Sequence, residues 1–456
     1  MENIHSYLQM KRDNHLEELF SFLALESISA LPEHHKEINQ TANWLSKALT
    51  NAGLENVSVY ETNGHPVVYG DWLHAEGKPT ALLYGHYDVQ PVDPIELWES
   101  APFSPEIRDN KLYARGASDD KGQVFMHIKA VEAILQATGS LPVNIKFCLE
   151  GEEEIGSPTL PNFVEKNKEL LQADVLVVSD TSMIDKGKPT ICYGLRGLCG
   201  LEITVSGPKS DLHSGLFGGA IQNPITALVE LLATLHDKDG FITVDGFYDK
   251  VASLTAEEQK AFNALEISDE SLLTQTGSKS LFGEKGYSVI ERLWTRPTLE
   301  LNGIKGGFQG TGVKTVIPSE ASAKITCRLV PNQDPDEIIE LLQKHLTKHK
   351  PKGIDISIEL FDKGKPFITP IDHKAIQAAS TAYETVYKVP TSFTRGGGSV
   401  PIVAIFNELL NLPVVLMGFG LPDENFHAPN EHFHLENYDK GLETICHYWY
   451  ELAKVW

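Results

Sequence analysis

The spacing of hydrophobic residues predicts an α/β fold at both ends of the chain. Apolar positions three to four residues apart predict amphipathic helices over residues 15–29, 36–52, 123–136, 373–388, 400–409 and 435–456. Short apolar runs between them predict buried strands over residues 80–84, 142–149, 173–179 and 413–417. We therefore predict a catalytic domain built on a mixed, mostly parallel sheet that is flanked by helices.

The middle of the chain has a different pattern. Residues 201–205 alternate between apolar and polar side chains like a half-exposed antiparallel strand. Together with the strands and helices that follow, they give a β-α-β-β-α-β order over residues 201–205, 223–235, 299–304, 322–329, 335–348 and 354–360. This order predicts an inserted α+β domain of ferredoxin-like type over residues 194–362. The catalytic domain then comprises residues 1–193 and 363–456.

Composition limits the classes of partner. The chain has 456 residues, 41% of them hydrophobic, with a formal net charge of −23. That length predicts two domains, and the charge argues against nucleic acid and anionic membrane surfaces. The first residues lack a signal-peptide pattern, and no run of about 18 apolar residues predicts a membrane span.

The cysteines point to a reducing compartment. Their number, five, is odd, and no C-x-x-C spacing occurs. Most of them lie in apolar, strand-like segments. We therefore predict reduced, buried thiols in a cytoplasmic protein.

An acidic segment at 150–154 follows one of the predicted strands. An isolated run of glutamates is usually a solvated loop, but two other predicted strands also end in possible metal ligands. His86 follows strand 80–84, and Asp180 follows strand 173–179. In open α/β sheets, ligands bind at the carboxyl ends of the strands. After the acidic segment, Ser157 and Pro158 predict the N-cap and first residue of a helix.

Two further aspartates can take part in this site. Asp88 lies two residues after His86 and so shares its face of the strand, where it can orient a metal-bound imidazole. Asp119 lies at a loop-to-helix junction and is better placed than Asp120, which can be an ordinary N-cap. One histidine and several carboxylates favour hard and borderline divalent ions such as Zn, Mn or Co. The glycine turns match neither a phosphate-binding loop nor a dinucleotide site.

Several motifs together resemble a known enzyme family. They are G-H-Y-D-V-Q-P at Gly85, A-S-D-D-K-G at Ala117, E-G-E-E-E-I-G-S at Glu150, S-D at Ser179 and H-A-P-N-E at His427. In this order they cover nearly the whole chain and are similar to the carnosinase/aminoacylase-type dinuclear metallopeptidases. The branch that the chain most resembles is the cytosolic nonspecific dipeptidases.

The resemblance implies two divalent metal ions per subunit, with Zn expected first and Mn or Co possible. One ion would be held by His86, Asp119 and Asp180, and the other by Asp119, Glu154 and His427. Glu153 would be the general base and acid, with Asp88 as an assisting residue. Glu150 would support the centre from behind, and Glu152 is expected to be a surface residue. A cis peptide bond after Asp119 is common in the family.

The resemblance also implies a homodimer and a small peptide substrate. The inserted domain would act as lid and dimerisation domain, with His213 and Thr315 reaching into the partner's site. Arg328 and Ser399 resemble substrate-anchoring residues. Without the resemblance, His213 could be an ordinary loop histidine and Arg328 a surface charge.

One position departs from the dipeptidase pattern. A glutamate usually follows the arginine of the R-E-G-G-S turn, and here that position is Gly396. If the glutamate binds a free amino terminus, an N-acyl or N-carbamoyl amino-acid amidohydrolase is the alternative function. A metal-dependent binding protein without catalysis is a third possibility, against which the presence of Glu153 argues.

Overall fold

Helices and strands alternate along most of the protein in this computed structural model, which describes residues 1–265, 267–397 and 401–456. The helices are α1 (Glu2–Leu23), α2 (His35–Asn51), α3 (Lys121–Thr138), α4 (Leu160–Lys166), α5 (Lys168–Leu171), α6 (Ser214–Phe217), α7 (Pro224–Ala233), α8 (Ala256–Asn263), α9 (Asp269–Thr276), α10 (Val289–Trp294), α11 (Pro335–Lys348), α12 (Lys374–Tyr387), α13 (Pro401–Leu410) and α14 (Leu435–Val455).

The strands are mostly short. They are β1 (Glu55–Tyr60), β2 (Val67–Trp72), β3 (Thr80–His86), β4 (Glu106–Arg108), β5 (Lys111–Tyr113), β6 (Asn144–Glu150), β7 (Val175–Val178), β8 (Thr190–Leu195), β9 (Gly197–Ser206), β10 (Leu212–His213), β11 (Thr298–Gly306), β12 (Val316–Ile317), β13 (Glu320–Leu329), β14 (Asp355–Gly364), β15 (Phe367–Ile368), β16 (Ser392–Gly396), β17 (Val414–Leu416) and β18 (His432–His434).

The chain forms two compact units. The first comprises residues 1–193, 369–394 and 405–456, and the second comprises residues 194–368 and 395–404. The segment 395–404, which the sequence assigns to the catalytic domain, is therefore grouped with the second unit. Among the described helices, none combines the length and the apolar character that a bilayer span requires.

The first unit contains the sheet that positions the candidate site. Its strands lie in the order β1-β2-β6-β3-β7-β17-β8. The pairs β6–β3, β3–β7 and β7–β17 are parallel, while β1–β2, β2–β6 and β17–β8 are antiparallel. The predicted mixed sheet is confirmed, but "mostly parallel" is too strong. Of the antiparallel pairs, β1–β2 is joined by the short connection 61–66, which favours antiparallel pairing.

Helices bury this sheet. α2 packs on β1 and β2, α3 on β3, and α12 on β17, while α1 and α14 pack against α3. All four residues of β7 are buried, as expected for a strand that is covered on both faces. A small antiparallel sheet of β18, β5 and β4 completes the unit.

Two local predictions in this unit are wrong. The first helix begins at Glu2 rather than at residue 15, because Ile4 and Leu8 are buried although their neighbours are polar. Ser157 does not cap a helix: it has a φ of 51°, and its hydroxyl donates to Oε1 of Glu150 at 2.8 Å. The next helix, α4, instead begins at Leu160.

The second unit is built on a four-stranded antiparallel sheet in the order β11-β13-β9-β14. α7 and α11 pack against it, so its strands and helices follow the β-α-β-β-α-β order. The core between sheet and helices includes Ile203, Ile325, Leu228 and Leu342, all buried. Its action as a lid and dimerisation domain stays a prediction.

Candidate metal centre

Three neighbouring strands bring the candidate ligands to one edge of the sheet. His86 is the last residue of β3, the acidic segment 150–154 begins at the last residue of β6, and Asp180 lies two residues beyond β7. β3 pairs in parallel with both β6 and β7, with His86 opposite Glu150. Because the three strands point the same way, their carboxyl ends meet, as the sequence predicts.

Asp119 lies between the two histidines. Its Oδ1 is 3.1 Å from Nε2 of His86, and its Oδ2 is 2.9 Å from Nε2 of His427. On one side, Nε2 of His86 is also 3.7 Å from Oδ2 of Asp180. On the other side, Nε2 of His427 is 3.3 Å from Oε2 of Glu154. The two carboxylate oxygens of Asp119 therefore face two different groups of ligands.

These contacts define two possible ion sites that share one aspartate. In the first, one ligand atom from each of His86, Asp119 and Asp180 lies within 4.8 Å of the others, and the same is true of Asp119, Glu154 and His427 in the second. Both sets match the ligands that the family resemblance implies. That these residues bind metal stays a prediction.

Electrostatics at the centre favour bound cations. Burial and the neighbouring Asp119 raise the pKa of Glu154 and of Asp180 to about 8. Although burial opposes the charged imidazole, hydrogen bonds to Asp119 and Asp88 hold the pKa of His86 well above its usual value. Buried carboxylates repel one another, and a divalent ion would relieve that repulsion. Imidazole nitrogens and carboxylate oxygens are also the donors such ions prefer, so the residues fit a metal centre.

The loop that carries Asp119 is held by a carboxylate that sequence reasoning left without a role. Both oxygens of Glu431 are used: Oε2 accepts from Nη1 of Arg115 at 2.8 Å, and Oε1 accepts from the backbone N–H of Asp119 at 3.1 Å. Arg115 and Glu431 are both 1% exposed, so this ion pair is buried. Glu431 ends the H-A-P-N-E motif, and that position is the one sequence signal that could have drawn attention to it.

The peptide bond between Asp119 and Asp120 is cis, as the resemblance implies. Asp120 precedes α3, but its side chain makes no capping hydrogen bond. Its Oδ2 instead accepts from the backbone N–H of His86 at 3.3 Å. Asp120 therefore supports the end of β3 rather than the start of the helix.

Asp88 is completely buried behind the centre. Its Oδ1 lies 3.4 Å from Nδ1 of His86, on the ring edge opposite the nitrogen that faces Asp119. The Asp88 carboxylate also accepts the backbone N–H groups of Glu153 at 3.2 Å and of Glu154 at 3.1 Å. The first contact was predicted from the H-x-D spacing, whereas the second could not be read from it.

The acidic segment divides into residues that face the centre and residues that hold the loop. Burial raises the pKa of the Glu153 carboxyl. Glu150 accepts from the Tyr84 hydroxyl at 2.5 Å.

Glu152 is 3% exposed and accepts the backbone N–H of His65 at 2.9 Å, so its prediction as a surface residue is wrong. It is buried because the connection before β2 packs over it. Gln90, a residue of the G-H-Y-D-V-Q-P motif that was given no role from the sequence, donates to Oε2 of Glu154 at 2.8 Å.

The predicted substrate-binding residues belong to the second unit, apart from Ser399, which lies outside the described residues. His213 ends β10 and is exposed, and the Thr315 carbonyl accepts the N–H of Ser214 at 3.1 Å. Arg328 lies on β13, half-buried, opposite Leu198 and Thr298. Their roles stay predictions.

A second arginine lies near Arg328. Burial and the proximity of Arg328 lower the pKa of Arg196 to about 10. Nε of Arg196 donates to the carbonyl of Gly397 at 2.9 Å. Its Nη1 is buried and has no hydrogen-bond partner within the described ranges. Sequence reasoning did not identify Arg196.

Comparisons with known proteins agree with the motifs. A model of peptidase family M20/M25/M40 matches residues 82–451. The Cys-Gly metallodipeptidase dug1 of Schizosaccharomyces pombe is 33% identical over 474 residues, covering 100% of this chain and 99% of that protein. The Beta-Ala-His dipeptidase of Homo sapiens is 32% identical over 476 residues, covering 100% of this chain and 93% of that protein.

A solved structure is similar over its whole length. It is the M20 family metallo-carboxypeptidase Sso-CP2 from Sulfolobus solfataricus, with a TM-score of 0.82 and 35% sequence identity. The match covers 96% of this chain and 99% of that one.

Proposed function

Because this chain belongs to peptidase family M20/M25/M40, we propose that it hydrolyses the peptide bond of dipeptides at a centre of two divalent metal ions. The observation that carries the proposal is the position of Asp119, whose two oxygens lie 3.1 Å and 2.9 Å from the imidazoles of His86 and His427. A carboxylate in that position can bridge two ions.

Each ion would have one histidine and two carboxylates from the chain. His86, Asp119 and Asp180 would hold one, and Asp119, Glu154 and His427 the other. When bound, such ions polarise a carbonyl oxygen and lower the pKa of a water molecule.

Glu153 is the proposed general base and acid. It takes the proton of the attacking water and delivers it to the nitrogen of the leaving amine, so no net proton is consumed at the carboxylate. Burial raises the pKa of Glu153, which brings a carboxylate closer to the pH at which it can both accept and donate. Asp88 fixes the position of Glu153 through the backbone N–H.

The terminal carboxylate of the substrate is assigned to Arg328. A guanidinium binds a carboxylate through two parallel hydrogen bonds and stays charged at any relevant pH. Arg196 supports this assignment, because its pKa is lowered by burial and by Arg328. An anion beside the two guanidiniums would relieve their repulsion. His213 and Thr315 are proposed to contact substrate in the partner subunit of a homodimer formed through the second unit.

Gly396, the departure from the dipeptidase pattern, ends β16. The two full-length relatives described above are named as dipeptidases, which supports dipeptides over N-acyl amino acids as substrates.

A cytoplasmic location is also part of the proposal. It is supported by five buried cysteines, among which Cys199 and Cys327 are joined by a hydrogen bond.

A substrate panel tests the function. The protein, loaded separately with Zn²⁺, Mn²⁺ and Co²⁺, is assayed on dipeptides including Cys-Gly and β-Ala-His, on tripeptides, and on N-acetyl and N-carbamoyl amino acids. We expect dipeptides to have the highest kcat/KM and the active protein to contain two ions per chain. Preference for N-acyl amino acids would reverse the assignment, and release of single C-terminal residues from long peptides would indicate a carboxypeptidase.

A further inference from the structure

A second cluster of possible metal ligands lies in the first unit, apart from the centre described above. It consists of Asp423, His432 and His434, and one ligand atom from each lies within 4.8 Å of the others. None of these residues belongs to the proposed pair of sites. The cluster was not predicted from the sequence.

The strand pairing puts the two histidines on one face. His432 and His434 are two residues apart on β18, and side chains at that spacing point to the same side of a strand. β18 pairs antiparallel with β5, with His434 directly opposite Lys111. The two imidazoles and the Lys111 ammonium are therefore on the same face of this small sheet.

His432 is prepared to act as a ligand. Its Nδ1 lies 3.0 Å from the carbonyl oxygen of Asn430, and because a carbonyl only accepts, Nδ1 carries the proton. Nε2 then carries the lone pair that a metal ion needs. The ring is 4% exposed, and its centroid lies 4.8 Å from that of the Tyr113 ring with 34° between the planes, so its orientation is fixed by packing.

The other two ligand atoms lie close to this nitrogen. Nε2 of His434 is 3.0 Å from Oδ2 of Asp423, and Nε2 of His432 is 3.9 Å from the same oxygen. His434 is largely buried, whereas the side chain of Asp423 is 57% exposed. The cluster is thus open to solvent on the Asp423 side, where an ion can enter and water can complete its coordination.

A positive charge already lies among these atoms. Nζ of Lys111 is 3.1 Å from Nε2 of His432 and 3.2 Å from Oδ2 of Asp423. Lys111 has a long side chain and lies at the solvent boundary, so it can swing outward. An exposed lysine–carboxylate pair contributes little to stability, so its loss costs little.

We propose that Asp423, His432 and His434 form a third cation site, which takes a borderline divalent ion such as Zn²⁺ in competition with the ammonium of Lys111. Two imidazole nitrogens and one carboxylate are a common ligand set for zinc. Asp423 and His432 flank the segment that carries His427, so an ion at this site joins the two ends of that segment. The inference does not depend on the peptidase activity.

The test measures ions rather than turnover. Protein that carries two ions per chain is titrated with Zn²⁺ by calorimetry, and the ions retained are counted by mass spectrometry. We expect a third ion in the wild type. Asp423→Asn and His434→Gln should each weaken it by more than about tenfold, since loss of even an indirect partner of a metal costs that much. Lys111→Met should raise the affinity for the third ion roughly two- to fivefold. The gain is small because the ion pair that no longer has to be broken is exposed and contributes little.

His74→Gln is the matched control. His74 is an exposed histidine whose Nε2 lies 2.9 Å from Glu55, and no third ligand joins them among the described residues, so its removal should leave the third ion unchanged. Zn²⁺ should also slow hydrogen exchange in residues 423–434 of the wild type but not of His434→Gln. A stoichiometry that stops at two ions would overturn the proposal. The proposal would also be overturned if Asp423→Asn and His434→Gln bound the third ion as tightly as the wild type. A lower affinity for the third ion in Lys111→Met would overturn it too.

Discussion

The backbone N–H of Glu153 donates a hydrogen bond to Oδ1 of Asp88 at 3.2 Å. The second oxygen of Asp88 accepts the N–H of Glu154 at 3.1 Å. One buried carboxylate therefore fixes the proposed general base and a proposed metal ligand together, while its other neighbour is the imidazole of His86.

Asp88→Asn should reduce both kcat and metal affinity, because an amide nitrogen cannot accept the N–H that one carboxylate oxygen now holds. We expect a loss of roughly 10- to 100-fold in metal affinity, measured by competition with a chelator. Asp71→Asn is the control: Asp71 is also buried and accepts from the Tyr69 hydroxyl at 2.7 Å on β2. It should lower stability without changing metal affinity. Equal effects of the two variants on metal affinity would contradict the role of Asp88.

Glu153→Gln should abolish turnover without reducing the number of bound ions, since its proposed task is proton transfer. Loss of a general acid–base group costs roughly 10²- to 10⁴-fold in rate. Glu154→Gln, one residue away, should lose metal first. Activity and metal content are measured on the same samples. Near-normal turnover in a metal-replete Glu153→Gln protein would exclude Glu153 as the base.

Mixing two inactive variants tests whether sites are shared between subunits. If His213 acts in the partner's site, a hybrid of Glu153→Ala and His213→Ala subunits has one intact site. Equimolar mixtures should then regain up to about a quarter of wild-type activity, because half of the dimers are hybrids. Mixtures of Glu153→Ala with Glu154→Ala are the control, since each subunit then damages its own site and no dimer has an intact one. Absence of recovery in equilibrated His213 mixtures would rule out the shared arrangement.

Arg328→Ala should remove the preference for a free terminal carboxylate. Loss of a charge-assisted hydrogen-bonded pair costs about 1.5–3 kcal/mol. In the wild type, kcat/KM for an amidated dipeptide should therefore be roughly ten- to hundredfold lower than for the free acid. The measurement is kcat/KM for free and amidated dipeptides in both proteins. Lys324→Ala, which removes another cation from β13, should keep the preference. The same discrimination in Arg328→Ala as in the wild type would mean that Arg328 does not bind the carboxylate.

His127 should make stability depend on pH. Burial lowers its pKa to about 3, and its Nε2 lies 2.7 Å from the hydroxyl of Ser179. In the unfolded chain its pKa is about 6.5. As pH falls below about 6.5 the unfolded chain therefore takes up a proton that the folded protein does not, and stability decreases by up to about 1.4 kcal/mol per pH unit. Above that pH the contribution is fully present.

The measurement is the free energy of unfolding in urea between pH 7 and pH 5, in the wild type and in His127→Gln. The free energy of unfolding of His127→Gln should fall less steeply with decreasing pH than that of the wild type. The two slopes should differ by up to about 1.4 kcal/mol per pH unit. His74→Gln, an exposed control, should keep the wild-type slope. Identical slopes in the wild type and His127→Gln would show that His127 is protonated in the folded state.

The sequence by itself determined which residues meet at the sheet edge. His86, the acidic segment and Asp180 each follow a short apolar run, and such runs can be recognised from about eight neighbouring residues. The rule that parallel strands present their carboxyl ends together then brings the ligands into one place. Asp119 and His427 lie on loops, and the motifs around them, rather than periodicity, indicated their part in the site.

Only the tertiary structure decided which polar side chains lose their contact with water. Glu152 and Glu153 are neighbours in one acidic run, yet the first holds a buried connection and the second faces the centre. Likewise, Lys111 and Asp423 are more than three hundred residues apart in sequence, and the pairing of β5 with β18 helps bring them together with His432 and His434. Burial and long-range strand pairing depend on the whole chain, whereas a local pattern reports only the preference of its own segment.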